Sequence, residues 1–91
     1  MPDALFPLGR TCITPAALAA CLSFPMPPDV LLIRHATGDW RELGCEDQVA
    51  NQRAIADGSC VCSVYQVGDH RFVVITEADR SATTVLLAEE C

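Results

Sequence analysis

Two runs of β-branched and aromatic residues lie close together near the C-terminus: residues 72–76, Phe-Val-Val-Ile-Thr, and residues 83–87, Thr-Thr-Val-Leu-Leu. The polar stretch 77–81, Glu-Ala-Asp-Arg-Ser, separates them. Such side chains suit a pleated, half-buried surface, so both runs predict strands. A further run starts near Cys60 and ends at Val67-Gly68-Asp69-His70, where Gly-Asp fills a two-residue hairpin loop. Setting Val67 opposite His70 places Tyr65 against Phe72, Ser63 against Val74 and Val61 against Thr76. Cys62, Val64, Val73 and Ile75 then share the other face. Both faces are apolar and each calls for cover, one by helices, the other by the N-terminal arm or a second subunit.

The first half reads as helical. Thr14-Pro15 starts a helix, with Thr14 as N-cap and Pro15 at the first helical position, running to about Leu22. Ala17, Leu18, Cys21 and Leu22 form its expected apolar face. Residues 24–28, Phe-Pro-Met-Pro-Pro, cannot continue it and make a stiff connector. A second helix opens on Pro28 and Asp29, carries Val30, Leu31, Leu32, Ile33 and Ala36, and closes at Gly38. A strand over residues 30–33 is the competing assignment. The turn at residues 39–44 anchors Trp40 against the helices. A third helix, residues 46–57, has an acidic first turn (Glu46, Asp47) and stops at Gly58. Its few large apolar side chains leave one face open to solvent or a partner.

Residues 1–13 hold Leu5, Phe6 and Leu8 between Pro2, Pro7 and Gly9, an extended arm that allows a short edge pairing around Arg10–Ile13. The expected architecture is a single α+β domain over residues 1–91. The arm (1–13) and two to three short helices (14–58) pack on a C-terminal three-stranded antiparallel β-meander (59–91).

At 91 residues the chain supports one modest core, burying roughly 60% of its unfolded surface. Aromatics are limited to Phe6, Phe24, Trp40, Tyr65 and Phe72, so the core is thin and open to completion by a partner, a homodimer included. The net charge of −6 disfavours direct nucleic-acid binding and anionic membranes. No apolar run reaches membrane-spanning length, and Met-Pro-Asp-Ala-Leu-Phe-Pro carries no basic segment ahead of an apolar one, so a cytoplasmic location is expected. There the six cysteines are expected reduced and structural, with no C-x-x-C among them. No cofactor is expected.

The segments His35-Ala-Thr-Gly-Asp-Trp-Arg-Glu-Leu43, Glu46-Asp47 with Asn51, and residues 74–87 resemble a group of small proteins borne on plasmids, integrative elements and phages. The likeness runs from about Leu5 to Glu90, strongest in His-x-x-Gly-Asp-Trp and Ile-Thr-Glu-Ala-Asp-Arg-Ser. It implies a mobile-element context, not a reaction. Some members are labelled type I restriction subunits, but this length, without a glycine-rich strand–turn–helix fingerprint, leaves no room for a cofactor-binding sheet. Cys60-Val-Cys62 departs from the group.

Three constellations could carry chemistry. His35, Asp39 and Trp40 could make an acid/base site, with Arg80 or Ser81 as charge stabiliser or nucleophile. The structural alternative has Asp39 orienting a turn, His35 bonding a backbone carbonyl and Trp40 packing. Glu77, Asp79, Arg80 and Ser81 form an exposed loop suited to a partner, or a hairpin loop held by Asp79 with Arg80 paired to Glu77. His35, His70, Cys60 and Cys62 could supply metal ligands, but their inferred positions do not converge, and no metal is expected.

The reading these features favour is a non-enzymatic, protein-binding accessory factor of a mobile element. Inhibition of a host defence system, of anti-restriction or anti-CRISPR type, is one form. Contact would run through Asp39, Trp40, Glu77, Asp79 and Arg80. The alternative is a small metal-independent RNase-like toxin or nuclease using His35, Arg80 and Ser81. A thiol-based redox or zinc module comes third.

Overall fold

The structure is a computed structural model that describes residues 4–23 and 26–90. Phe24 and Pro25 of the proline connector, the first three residues and Cys91 lie outside the described residues. The elements run β1 (Arg10–Ile13), α1 (Pro15–Ser23), α2 (Pro28–Ala36), α3 (Cys45–Asp57), β2 (Val61–Val67), β3 (His70–Thr76), β4 (Ala82–Leu87) and a short 3-10 turn at Ala88–Glu90. The chain is thus α+β, with three helices against one sheet.

The sheet corrects the three-stranded expectation. It has four strands in the order β1-β4-β3-β2 and is mixed. β2, β3 and β4 form the antiparallel meander, and β1 adds to β4 in parallel, Arg10 beside Ala82 and Ile13 beside Val85. The expected hairpin register holds throughout, Tyr65 against Phe72 and Val61 against Thr76. The arm therefore ends as a full sheet member, because the β4 edge would otherwise leave backbone groups unpaired.

Local signals set the helix ends. The Thr14 hydroxyl accepts the Ala17 amide hydrogen bond at 3.2 Å, as an N-cap does. α2 begins on Pro28 with Asp29 in its first turn, and its strand alternative falls away. α3 ends on Gly58 in the left-handed conformation, its amide bonded to the Ala54 carbonyl.

The helices cover one face of the sheet. Ala17, Ala20, Cys21 and Leu31 pack on Tyr65, Phe72, Val74, Val85 and Leu87. A second cluster joins Phe6, Trp40, Ala54 and Val61, with Leu8, Leu43 and Ile55 at its margin. α1 is rotated from the expected face: Ala20 is buried, while Leu18 and Leu22 are exposed. Small residues are what let α1 approach the sheet closely. Buried thiol filler is confirmed for Cys21 alone, since Cys12, Cys45 and Cys60 are exposed.

The opposite face belongs to neither cluster. Cys62, Val64, Ile75, Thr84 and Leu86 remain partly exposed around a buried Val73. The arm does not cover it, because Phe6 and Leu8 sit with the helices. At the outer edge of β2, the Asn51 amide donates to the Cys62 carbonyl at 2.7 Å and accepts from the Cys62 N–H at 3.2 Å. A Glu42 carboxylate oxygen accepts the Gln66 N–H at 2.7 Å. Side chains of α3 and the preceding turn thus stand in for a fifth strand.

Gly9 turns the arm into β1 at φ 65°, and a Cβ there would lie 2.4 Å from the Arg80 carbonyl oxygen. Gly58 has φ 79° with open space where a Cβ would go. Gly58→Ala therefore costs only the left-handed penalty, about 1 kcal/mol, whereas Gly9→Ala adds a backbone collision and costs more than twice that. Urea titration of the two variants checks the ordering, and equal losses would contradict it.

Candidate functional site

His35 is completely buried, at the end of α2 where it meets the sheet. Its Nδ1 lies 2.6 Å from Ser63 Oγ on β2, and its Nε2 2.8 Å from Thr76 Oγ1 on β3. Thr76 Oγ1 lies 2.7 Å from Thr83 Oγ1 on β4, and the Thr83 hydroxyl donates to the Leu8 carbonyl at 2.7 Å. A carbonyl can only accept, so the direction of the chain as far as His35 Nε2 follows from its last link. Thr83 gives its proton to Leu8, Thr76 to Thr83, and His35 Nε2–H to Thr76. Nδ1 is left as the acceptor for the Ser63 hydroxyl. The chain requires a proton on Nε2, and burial leaves Nδ1 without a second one.

Burial pushes the ring pKa from 6.5 down to about 4, in keeping with that neutral form. Phe6 stands edge-on to the ring at 5.2 Å between centroids. A general acid or base must reach its substrate. His35 is instead sealed and has both nitrogens engaged. The expected bond to a backbone carbonyl is made at one remove, through two threonines.

Asp39 is a second node. Arg41 contacts it at 2.9 and 3.1 Å, and Arg34 at 2.8 Å. The Arg41 hydrogen bonds, with those of Arg34, outweigh burial and hold its carboxyl well below the usual carboxylate range. Arg34 also reaches Glu42 at 3.2 Å and lies over the Tyr65 ring, 4.2 Å from its centroid. The Tyr65 hydroxyl donates to the Asp39 carbonyl at 2.8 Å, and burial raises its pKa to about 12. Trp40 is buried, and its Nε1 is the one buried side-chain nitrogen or oxygen without a hydrogen-bond partner among the described residues.

Arg80 is the third node. It occupies the left-handed region at φ 61° in the β3–β4 loop. Its guanidinium donates to the carbonyls of Ser59 at 2.6 Å, Ala54 at 2.9 Å and Glu77 at 3.3 Å, tying the loop to the end of α3. It pairs with the Glu77 backbone, not the carboxylate. A carboxylate oxygen of Asp79 accepts the Ser81 N–H at 3.0 Å, as expected of a self-bonded loop. Phe6 neighbours both His35 and Arg80, the Arg80 guanidinium carbon being 5.6 Å from its ring centroid. Of the residues expected to make contact, Glu77 and Asp79 are exposed, Asp39 and Arg80 are half-buried in internal bonds, and Trp40 is core.

Asn51 and the Ser63–Thr76–Thr83 hydroxyls went unnoticed in the sequence. The available signal was three small hydroxyl residues at inward positions of strands otherwise filled by Val, Phe and Leu. Among the described residues no three His, Cys, Asp or Glu side chains gather in a way that could hold a metal ion. No single described helix is long and apolar enough to cross a membrane.

Fold and site together define a small α+β domain with a helix-covered sheet, a sealed histidine relay and a partly exposed second sheet face. No family model matches the chain, and neither a curated protein nor a solved structure is detectably similar to it.

The unfolded chain binds a proton at His35 near pH 6.5 and the folded chain only near pH 4. Stability from this ring is therefore fully present above pH 6.5 and falls as pH drops towards 4, by about 3 kcal/mol. Urea midpoints across that window check the loss, and histidine nitrogen NMR should find the Nε2–H tautomer at neutral pH. A charged ring at pH 6 would contradict the relay.

Proposed function

We propose that this chain is a protein-binding module that acts by contact and not by catalysis. The supporting observation is the uncovered sheet face, where Cys62, Val64, Ile75 and Leu86 stay partly exposed although the chain has helices enough to bury the other side. An apolar face of this kind is costly in water, and a partner protein is its usual cover. The mobile-element resemblance makes a host or element protein the natural partner, a defence enzyme among them, and the acidic surface suits a basic one. The nuclease alternative draws no support from the geometry: His35 is completely buried with both nitrogens bonded, and Arg80 commits its guanidinium to backbone carbonyls.

Immobilised wild-type chain should capture a discrete protein from source-cell lysate. Val64→Lys and Ile75→Lys should lose that protein while keeping the wild-type thermal midpoint. Sedimentation over a concentration range shows whether a second copy takes the face instead. Capture indifferent to both substitutions, or RNA cleavage by the purified chain, would refute the reading.

A further inference from the structure

The two edges of the sheet are treated differently. At the β2 edge, Asn51 bonds the Cys62 N–H and carbonyl and Glu42 accepts the Gln66 N–H, so side chains take up part of that edge. At the other edge, Arg10 N–H bonds the Ser81 carbonyl and Thr14 N–H bonds the Val85 carbonyl, so residues 10, 12 and 14 face β4. Thr11 and Ile13 therefore turn their N–H and C=O groups outward. Among the described residues no hydrogen bond reaches those four groups. β1 itself is exposed over Arg10, Thr11 and Cys12.

An apolar groove runs beside this open edge, between β1 and α2. One cavity of about 370 Å³ is lined by Leu8, Thr11, Leu32 and Ile33, and one of about 170 Å³ continues it past Ile13. Thr11, Asp29 and Leu32 line both. Asp29 is the single charged side chain among the described lining residues, and no described cation lies within ion-pair distance of it.

We infer that β1 takes up an extended peptide segment of a partner as a fifth strand, with apolar side chains and one Lys or Arg on the side facing the groove. The backbone supplies the bonds at Thr11 and Ile13. The groove selects alternate apolar side chains, and Asp29 selects the cation between them. This assignment takes from the protein-binding reading only the polypeptide nature of the occupant, and it uses a different surface.

The probe is a fluorescein-labelled heptapeptide with threonine at odd positions and Ile, Lys, Ile at even ones, followed by anisotropy. Thr11→Pro removes one outward N–H and none of the β1–β4 bonds, since edge strands accept proline. Asp29→Lys reverses the groove charge. Thr11→Pro should keep the wild-type thermal midpoint. Asp29→Lys should lower it slightly, through the lost acidic charge at the start of α2. Both folded variants should weaken the probe roughly tenfold or more. N-methylation of the probe's alternate amides should do the same, and a Glu-for-Lys probe should recover binding to Asp29→Lys. Val64→Lys, on the open face, should leave probe binding unchanged. No saturation at millimolar chain, equal binding of the N-methylated probe, or a dimer abolished by Thr11→Pro would overturn the inference. Capture through the open face could survive each of those results.

Discussion

The structure hangs on the proton chain that begins at Ser63 and ends on the Leu8 carbonyl. It crosses the α2 end, three strands and the arm along one line of hydrogen bonds between 2.6 and 2.8 Å. In a dry interior a polar network is favourable only when every donor and acceptor is used. Here one carbonyl dictates the proton positions as far as His35 Nε2, and burial keeps the imidazole neutral. The relay positions α2 over β2 and β3, and it holds the arm against β4, where β1 then pairs. Phe6, edge-on to the imidazole, excludes water from it.

Around that line the loops are held by side chains reaching distant backbone. Arg80 accepts the strain of a left-handed conformation and in return bonds carbonyls at Ser59 and Ala54, closing the end of α3 onto the β3–β4 loop. Asp39, gripped by Arg34 and Arg41, fixes the turn that inserts Trp40 into the core. The residues that look most reactive in the sequence are thus engaged internally.

Cover is unevenly distributed over the sheet. One sheet face is covered by helices, and the β2 edge is partly bonded by Asn51 and Glu42. The other face is partly exposed and the other edge is open: alternating aliphatic side chains lie on one, unpaired backbone beside an apolar groove holding Asp29 on the other. Sheets left uncovered in this way risk non-specific association, so a matched partner is the economical explanation of both.

Short-range chemistry was legible without coordinates. Gly68-Asp69 defined the β2–β3 turn, and turn geometry carried the register along seven residue pairs. Thr14, Pro28 and Gly58 marked helix ends from local signals, whereas Trp40, read both as a packed anchor and as a contact residue, is core. The parallel joining of β1 to β4 could not be read, because it pairs residues some seventy positions apart with no periodic signal in a four-residue strand. The rotation of α1 escaped because alanine, leucine and cysteine all count as apolar, and only the distance to the sheet favours the small ones. The role of His35 escaped for the same reason: its partners lie 28 and 41 residues away. Sequence alone determined the elements and the hairpin, since turns and caps are set by neighbours along the chain. Tertiary structure decided which polar groups met, which face stayed open and which edge was closed, since those depend on distances that only the folded chain defines.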